Sequence, residues 1–334
     1  MNLAQQLEDI MGPNAEQQEV TCWLDTGFAP LNKAISGSYR NGLPVGRMVE
    51  MFGGSSCGKT AIANKAMANA QKRGGIAMFN DHERSFALPV AVKNGLDPMK
   101  GWVYKTPRTF EESIDNSCKL AVAVREKGLI PEDAPIIAVF DSLASMIPQS
   151  KLLDNKGEQR ETGSFNMHDN TALARATSAC FPVLEQVAHE NNMLLLFLNQ
   201  IRTKPGVAYG DPTTTPGGNA PEYYSSVRIS LTRSMLKEKD GIKGQDIRAY
   251  IKKNKVSAPF KEASWRFNFT DDGSGRFETV YSTLEHMKEV GLLKTAGAYI
   301  EFDGKKYHIG PLAKMIEEDG RYEELLDMLY ATES

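Results

Sequence analysis

Apolar positions along the chain fall into two rhythms. Leu3, Leu7, Ile10 and Met11 follow helical spacing and Gly12-Pro13 ends the pattern, which predicts a short amphipathic helix ahead of a polar stretch, 14–20. Such a stripe either folds onto its own domain or docks on a neighbouring subunit, and spacing favours neither. From Gly46 onward, short apolar runs alternate with helical patterns. Residues 47–52 lead into a glycine-rich turn and a helix through 61–71, and further apolar runs follow at 76–79, 136–140 and 193–198. Strands that are apolar throughout and separated by helices predict an α/β core, a mostly parallel sheet covered on both faces. Ligands of such a sheet sit beyond the carboxyl ends of its strands.

Two stretches break the alternation. Residues 154–170 are polar and contain glycine. Residues 203–218 hold Pro205, Gly206, Gly210, Pro212, three threonines and then Pro216-Gly217-Gly218. Long irregular loops inside a compact domain point to function. Further strands are predicted at 227–232 and 247–251. Beyond about Thr270 the character changes to a small α+β unit, with a helix around 280–290, a hairpin turning at Asp303-Gly304 and helices to the C-terminus. The expected organisation is an N-terminal helix and linker over 1–22, a core over 23–269 and a small α+β domain over 270–334.

With 334 residues, a large domain plus a small one is the natural division. A composition of 41% hydrophobic and 24% charged residues is that of a globular protein. The formal net charge of -3 offers no global basicity, so a nucleic-acid surface would have to be local. Cys22, Cys57, Cys118 and Cys180 are scattered without metal-site spacing, as expected of reduced thiols. Glu8 and Asp9 stand where a signal peptide would be apolar, and no apolar run reaches the roughly 18 residues of a membrane span. The expected location is the cytoplasm, with no membrane partner.

The strongest chemical signal is Gly53-Gly54-Ser55-Ser56-Cys57-Gly58-Lys59-Thr60. Glycines let the backbone wrap a phosphate chain with its N–H groups at the positive end of the following helix. Lys59 would reach the β- and γ-phosphates and the Thr60 hydroxyl would bind Mg²⁺. A second magnesium-side carboxylate is expected at the end of another strand, where Asp141 stands, holding the metal through water. Hydrolysis needs a group to orient or deprotonate water; after the strand 76–79, Glu83 is the candidate base and Asp81 its local competitor. Gln200 ends another strand, where an amide could sense the γ-phosphate. Positive charge gathers between Arg233 and Lys261, a solvated face or, at Lys253 and Lys255, cations delivered to a phosphate.

Several segments together resemble the bacterial RecA family. They are 41–47, the run 197–202 around Asn199-Gln200, the loop end 215–220, and Lys253-Asn254-Lys255 through Pro259-Phe260-Lys261. The resemblance extends from about Leu24 to near the C-terminus. It implies a RecA-like core bearing two DNA-binding loops, about 154–170 and 201–219. It makes Glu83 the catalytic glutamate, Asp141 the magnesium-side aspartate, Gln200 the link from ATP to the second loop, and Lys253 and Lys255 cations for a neighbouring subunit's ATP. DNA contacts are then expected from Arg175, Arg202, Lys204, Tyr209, Thr214, Thr215, Gly217, Gly218 and Asn219. Tyr223 and the stripe Leu3, Leu7 and Ile10 are expected at a subunit interface. Thr213 stands where the family carries an acid, and 85–90 lacks the aspartate and tyrosine that frame adenine. Such departures mark a divergent member and suit a phage-encoded one, acting in a bacterial cell or an infected host.

The implied function is ATP- and Mg²⁺-dependent homologous pairing and strand exchange by a filament on single-stranded DNA. Its partners would be a second DNA duplex, further copies of the chain, and single-strand-binding or loading proteins. Two alternatives share the core: a ring-forming helicase, and a regulatory paralogue that binds ATP and DNA without exchanging strands. A small-molecule kinase would need an acceptor pocket and a lid for which the sequence offers no clear segment.

Overall fold

The computed structural model describes residues 2–12, 19–154, 156–161, 171–203, 213–238, 241–270 and 275–333. Among the described residues nine strands form the large sheet: β1 (Met48–Gly53), β2 (Ile76–Asp81), β3 (Trp102–Lys105), β4 (Ile136–Asp141), β5 (Met193–Gln200), β6 (Val227–Glu238), β7 (Gly241–Asn254), β8 (Glu262–Phe269) and β9 (Gly275–Phe277). Their order is β9-β8-β7-β6-β1-β5-β4-β2-β3. From β6 to β3 every neighbouring pair is parallel, whereas β6 to β9 pair antiparallel.

The period of two explains why the central strands read as apolar throughout. Val49, Met51, Phe79, Val139 and Leu196 join the core on one face, which the helix Lys59–Lys72 covers with Ile62, Ala63, Ala66 and Met67. Met48, Ala138, Phe140, Leu195 and Phe197 point to the other face. There Phe110, Phe181 and Leu184 of the helices Phe110–Glu126 and Ala172–Glu190 close over them. Burying a side chain of this size contributes roughly 1.5–3 kcal/mol. Phe140 and Phe197 stack across β4 and β5 with ring centroids 4.3 Å apart.

The large sheet runs past Thr270, since β9 pairs with β8. Much of the charged stretch after Arg233 is the long β6–β7 hairpin, whose outer part lies beyond the predicted strand ends. The helix Thr279–Glu289 and the hairpin of Tyr299–Phe302 with Lys305–Tyr307 stand where the sequence predicts them. Asp303 (φ +50°) and Gly304 (φ +72°) make the left-handed turn that a two-residue hairpin loop requires. Leu284, Ile300, Phe302, Leu312, Ile316, Leu325 and Leu329 form a third core, to which Ala29 and Tyr39 also contribute. Glu333 ties the end of the chain to this same region, accepting from Tyr39 N at 2.7 Å, Lys33 Nζ at 2.9 Å and Ser38 Oγ at 3.0 Å.

The N-terminal helix spans Leu3–Met11, capped by Asn2 Oδ1, which accepts from Gln5 N at 2.9 Å. Leu3, Leu7, Ile10 and Met11 are all exposed within the single chain. Among the described residues no helix is long and apolar enough to cross a membrane.

Candidate nucleotide site and loop root

Four parallel strands end on one side of the sheet and deliver the predicted cleft residues together. β1 runs into the phosphate loop, β2 into Glu83, β4 into Asp141 and β5 into Gln200. The cleft has a volume of about 340 Å³, is open to solvent, and is lined by Ser55 to Ala61, Glu83, Asp141, Gln200, Gln245, Phe267 and Phe269.

Gly58 adopts a left-handed conformation (φ +83°) as it starts the helix Lys59–Lys72. Gly53 is required by crowding instead: a Cβ there would lie 2.4 Å from the Leu231 carbonyl oxygen on β6. Ser56 is left-handed without being glycine (φ +57°), and Gln245 Nε2 donates to its carbonyl at 2.8 Å. Lys59 lies along the loop, its Nζ donating to Gly54 O at 2.8 Å and Gly53 O at 3.2 Å. Burial lowers its pKa from the ordinary lysine value.

Thr60 Oγ1 donates to Asp141 Oδ2 at 3.0 Å, joining the two predicted metal-side groups. The Asp141 carboxyl is pushed up to about 6, first by burial and then by the negative charge of Glu83, against the Thr60 hydrogen bond and Lys59. Burial by itself disfavours charge of either sign, but the negative charge of Glu83 beside Asp141 favours a cation there. Thr60 and Asp141 therefore fit Mg²⁺, and the loop amides with Lys59 fit a phosphate chain.

Glu83 and Asp81 have different tasks. Asp81 is buried, and its carboxylate accepts from Glu83 N (3.1 Å), Phe86 N (3.0 Å) and Tyr104 OH (2.9 Å), so it shapes the turn. Glu83 faces the cleft. Its Oε1 accepts from Gln200 Nε2 at 3.0 Å, from Ser145 Oγ at 3.3 Å and from the Ser142 hydroxyl. His82, between the two acids, is held neutral by burial, its pKa lowered to about 4.

Arg202–Thr203 pairs with Thr213–Thr214 in a short antiparallel ladder, Arg202 opposite Thr214, just beyond β5. Lys204 and Tyr209, and most of the predicted first loop, lie outside the described residues. Thr215 is buried, its Oγ1 accepting from Arg228 Nη2 at 3.3 Å. Gly217 (φ +100°) and Gly218 (φ +71°) are left-handed and tightly packed; a Cβ on Gly218 would come within 2.7 Å of Ala174 Cβ. Asn219 precedes the helix Ala220–Tyr224, and exposed Arg175 donates to Thr171 Oγ1 at 2.7 Å.

Lys253 and Lys255 do not join this cleft within the chain. Lys253 Nζ donates to Tyr223 O at 2.9 Å and to the Glu222 carbonyl, at the end of the helix Ala220–Tyr224. Burial, then the charges of Lys255 and Arg228, lower the pKa of Lys253. The Tyr223 side chain is 67% exposed. Gln245, Phe267 and Phe269 were not foreseen. Their signal is a polar or aromatic residue within strand alternation, and it identifies a cleft only once β7 and β8 are in register on the β6 side of β1.

Fold and cleft together define an α/β protein of the phosphate-loop class. Residues 8–273 match the RecA N-terminal domain. The chain is 33% identical over 284 residues to Protein RecA of Wolbachia sp. subsp. Brugia malayi (strain TRS), covering 85% of this chain and 73% of that protein. It is 34% identical over 312 residues to Protein RecA of Chloroherpeton thalassium (strain ATCC 35110 / GB-78), covering 92% and 79%. The crystal structure of the RadB recombinase aligns with 75% of this chain and 97% of its own, at 17% identity and a TM-score of 0.49. The chain belongs to the RecA family.

Proposed function

We propose that this chain is a DNA-dependent ATPase that forms a filament on single-stranded DNA and catalyses homologous pairing and strand exchange. The observation that carries the reading is the 3.0 Å hydrogen bond from Gln200 Nε2 to Glu83 Oε1. It joins the candidate base to the residue from which the second loop departs. The RecA relatives support the same reading.

When bound, Mg²⁺–ATP supplies the γ-phosphoryl group and the charge neutralisation for its transfer to water. The loop amides and Lys59 bind the phosphates, and Thr60 and Asp141 hold the metal side. Glu83 accepts the proton of the attacking water, and Ser142, Ser145 and Gln200 hold its carboxylate toward the cleft. Lys253 and Lys255 serve the ATP of a neighbouring copy, and the stripe Leu3, Leu7 and Ile10 and the side chain of Tyr223 belong to the subunit interface. Arg202, Lys204, Tyr209 and Arg175 contact DNA with Thr214 and Asn219, while Thr215, Gly217 and Gly218 shape the loop end. Contacts of this kind go to phosphate rather than base edges, so binding weakens steeply with salt.

The test is strand exchange between circular single-stranded DNA and homologous linear duplex, with ATP and Mg²⁺ and with hydrolysis followed in the same tubes. The expected result is joint molecules that need homology and ATP and vanish in Lys59→Ala. Duplex unwinding without homologous pairing would replace the recombinase with a helicase. ATP and DNA binding without either activity would leave a regulatory paralogue.

A further inference from the structure

Glu50 occupies the middle of β1, fully buried between β5 and β6. Sheet register sets Arg228 of β6 directly beside it, and on its other side Phe197 of β5, two residues before Asn199 on the same face. Glu50 Oε2 accepts from Arg228 Nε at 2.6 Å, and its Oε1 accepts from Asn199 Nδ2 at 2.8 Å. Arg228 and Asn199 are buried too. A buried ion pair adds little net stability, because desolvation offsets the Coulomb attraction; what it can do is fix geometry.

The partners show what is fixed. Arg228 Nη2 donates to Thr215 Oγ1 at 3.3 Å, and Asn199 Nδ2 donates also to Pro216 O at 3.0 Å. From the covering helix, Thr177 Oγ1 donates to Gly217 O at 2.8 Å. Three consecutive residues at the end of the second loop are thus held by three different elements. On the other side, Asn199 Oδ1 accepts from Gln200 N at 2.9 Å, and Gln200 reaches Glu83 in the nucleotide cleft.

We infer that Glu50, Arg228 and Asn199 are positioning residues that form a buried clamp on Thr215 and Pro216 and transmit the placement of Gln200 to them. The inference deepens the functional reading above and rests on it. The Asn199 amide uses both ends at once: a shift of the Gln200 backbone displaces Asn199, which cannot move without disturbing its bonds to Glu50 and Pro216. Low dielectric around the ion pair makes the arrangement hard to deform gradually. Arg228 also lies 3.6 Å from Glu222 through Nη1, so the clamp reaches the helix on which Lys253 rests.

The experiment uses the full chain and a fluorescent oligothymidine, with affinity measured by anisotropy in Mg²⁺–ATPγS and in Mg²⁺–ADP. Affinity for a fluorescent nucleotide is measured in parallel without DNA. Arg228→Lys keeps a positive charge for Glu50 but gives up the fork that also reaches Thr215. Asn199→Ala removes the hydrogen bonds to Glu50, Pro216 and Gln200 N but leaves the Glu50–Arg228 ion pair, so neither buried charge loses its counter-ion.

The wild type is expected to bind DNA at least about fivefold more tightly with ATPγS than with ADP. Both variants should bring that ratio close to one while nucleotide affinity holds. Variants that keep the wild-type ratio overturn the clamp and leave the functional reading intact. Variants that lose nucleotide affinity along with the ratio also overturn it, by showing a general disturbance of the core. A wild type whose ratio is already one overturns both the clamp and the reading on which it rests.

Discussion

Two glycine-bearing loops lie beyond strands β1 and β5, and they use glycine for different reasons. In the phosphate loop, Gly58 turns the chain into a helix, while the space a Gly54 side chain would enter holds only the Cys57 sulfur, 3.6 Å away. At the second loop's end, Gly217 and Gly218 are left-handed and crowded by Pro221, Leu143 and Ala174. Past Gly53, which Leu231 crowds, the phosphate loop keeps Gly54 open toward a cleft; the second loop presses both its glycines against its own protein. Similar composition therefore marks a ligand surface in one place and an anchoring point in the other, and only the neighbours distinguish them.

The largest expected effect tests the chemistry at the first loop. Glu83→Gln keeps the shape but cannot accept a proton, so ATP turnover should fall about 10²–10⁴-fold with nucleotide still bound. Single-turnover hydrolysis beside nucleotide titration checks this, and turnover near the wild-type rate would remove Glu83 as base. A region remote from both loops gives a reference for stability. His286, against the Tyr39 hydroxyl at 2.9 Å, has its pKa lowered to about 4 by burial and then by Lys33. A pKa below the unfolded value near 6.5 means stability present above pH 6.5 and lost as pH falls toward 4. The loss is at most roughly 3 kcal/mol. Melting from pH 7.5 to 4.5 should show a shallower acid decline in His286→Gln than in wild type.

The two glycine substitutions sharpen the comparison most directly. Gly218→Ala should destabilise the nucleotide-free protein by about 1–3 kcal/mol, from left-handed strain and the approach to Ala174, as read by denaturant unfolding. Gly54→Ala should change that stability by less than about 0.5 kcal/mol and show instead as weaker nucleotide binding. Equal stability losses at both positions would erase the distinction.

Much of the cleft was legible because its signals are short and contiguous. The phosphate loop is one uninterrupted segment, and Asp141 and Gln200 each end an apolar run, so the parallel-sheet rule brings them to one edge. The competition between Asp81 and Glu83 was not resolvable from spacing. In the fold the two acids differ in their partners: backbone N–H groups and the Tyr104 hydroxyl engage Asp81, while Glu83 meets Gln200. The resemblance implies a DNA contact at Thr215, whereas its side chain is turned inward to Arg228. The charge run after Arg233 hid how far β6 and β7 extend past the predicted 227–232 and 247–251, because a hairpin extending beyond the core needs no apolar alternation on its exposed part.

By itself the sequence determined the elements, the parallel α/β class and the phosphate loop. These depend on side-chain period and on a few adjacent backbone conformations, which are local properties. Tertiary structure alone decided that Glu50 meets Arg228 and Asn199, that Gln245 supports Ser56, and that Phe267 and Phe269 line the cleft. Those contacts depend on strand order and register. A shift of one residue turns every side chain to the opposite face, and nothing within a single strand states which neighbour it will have.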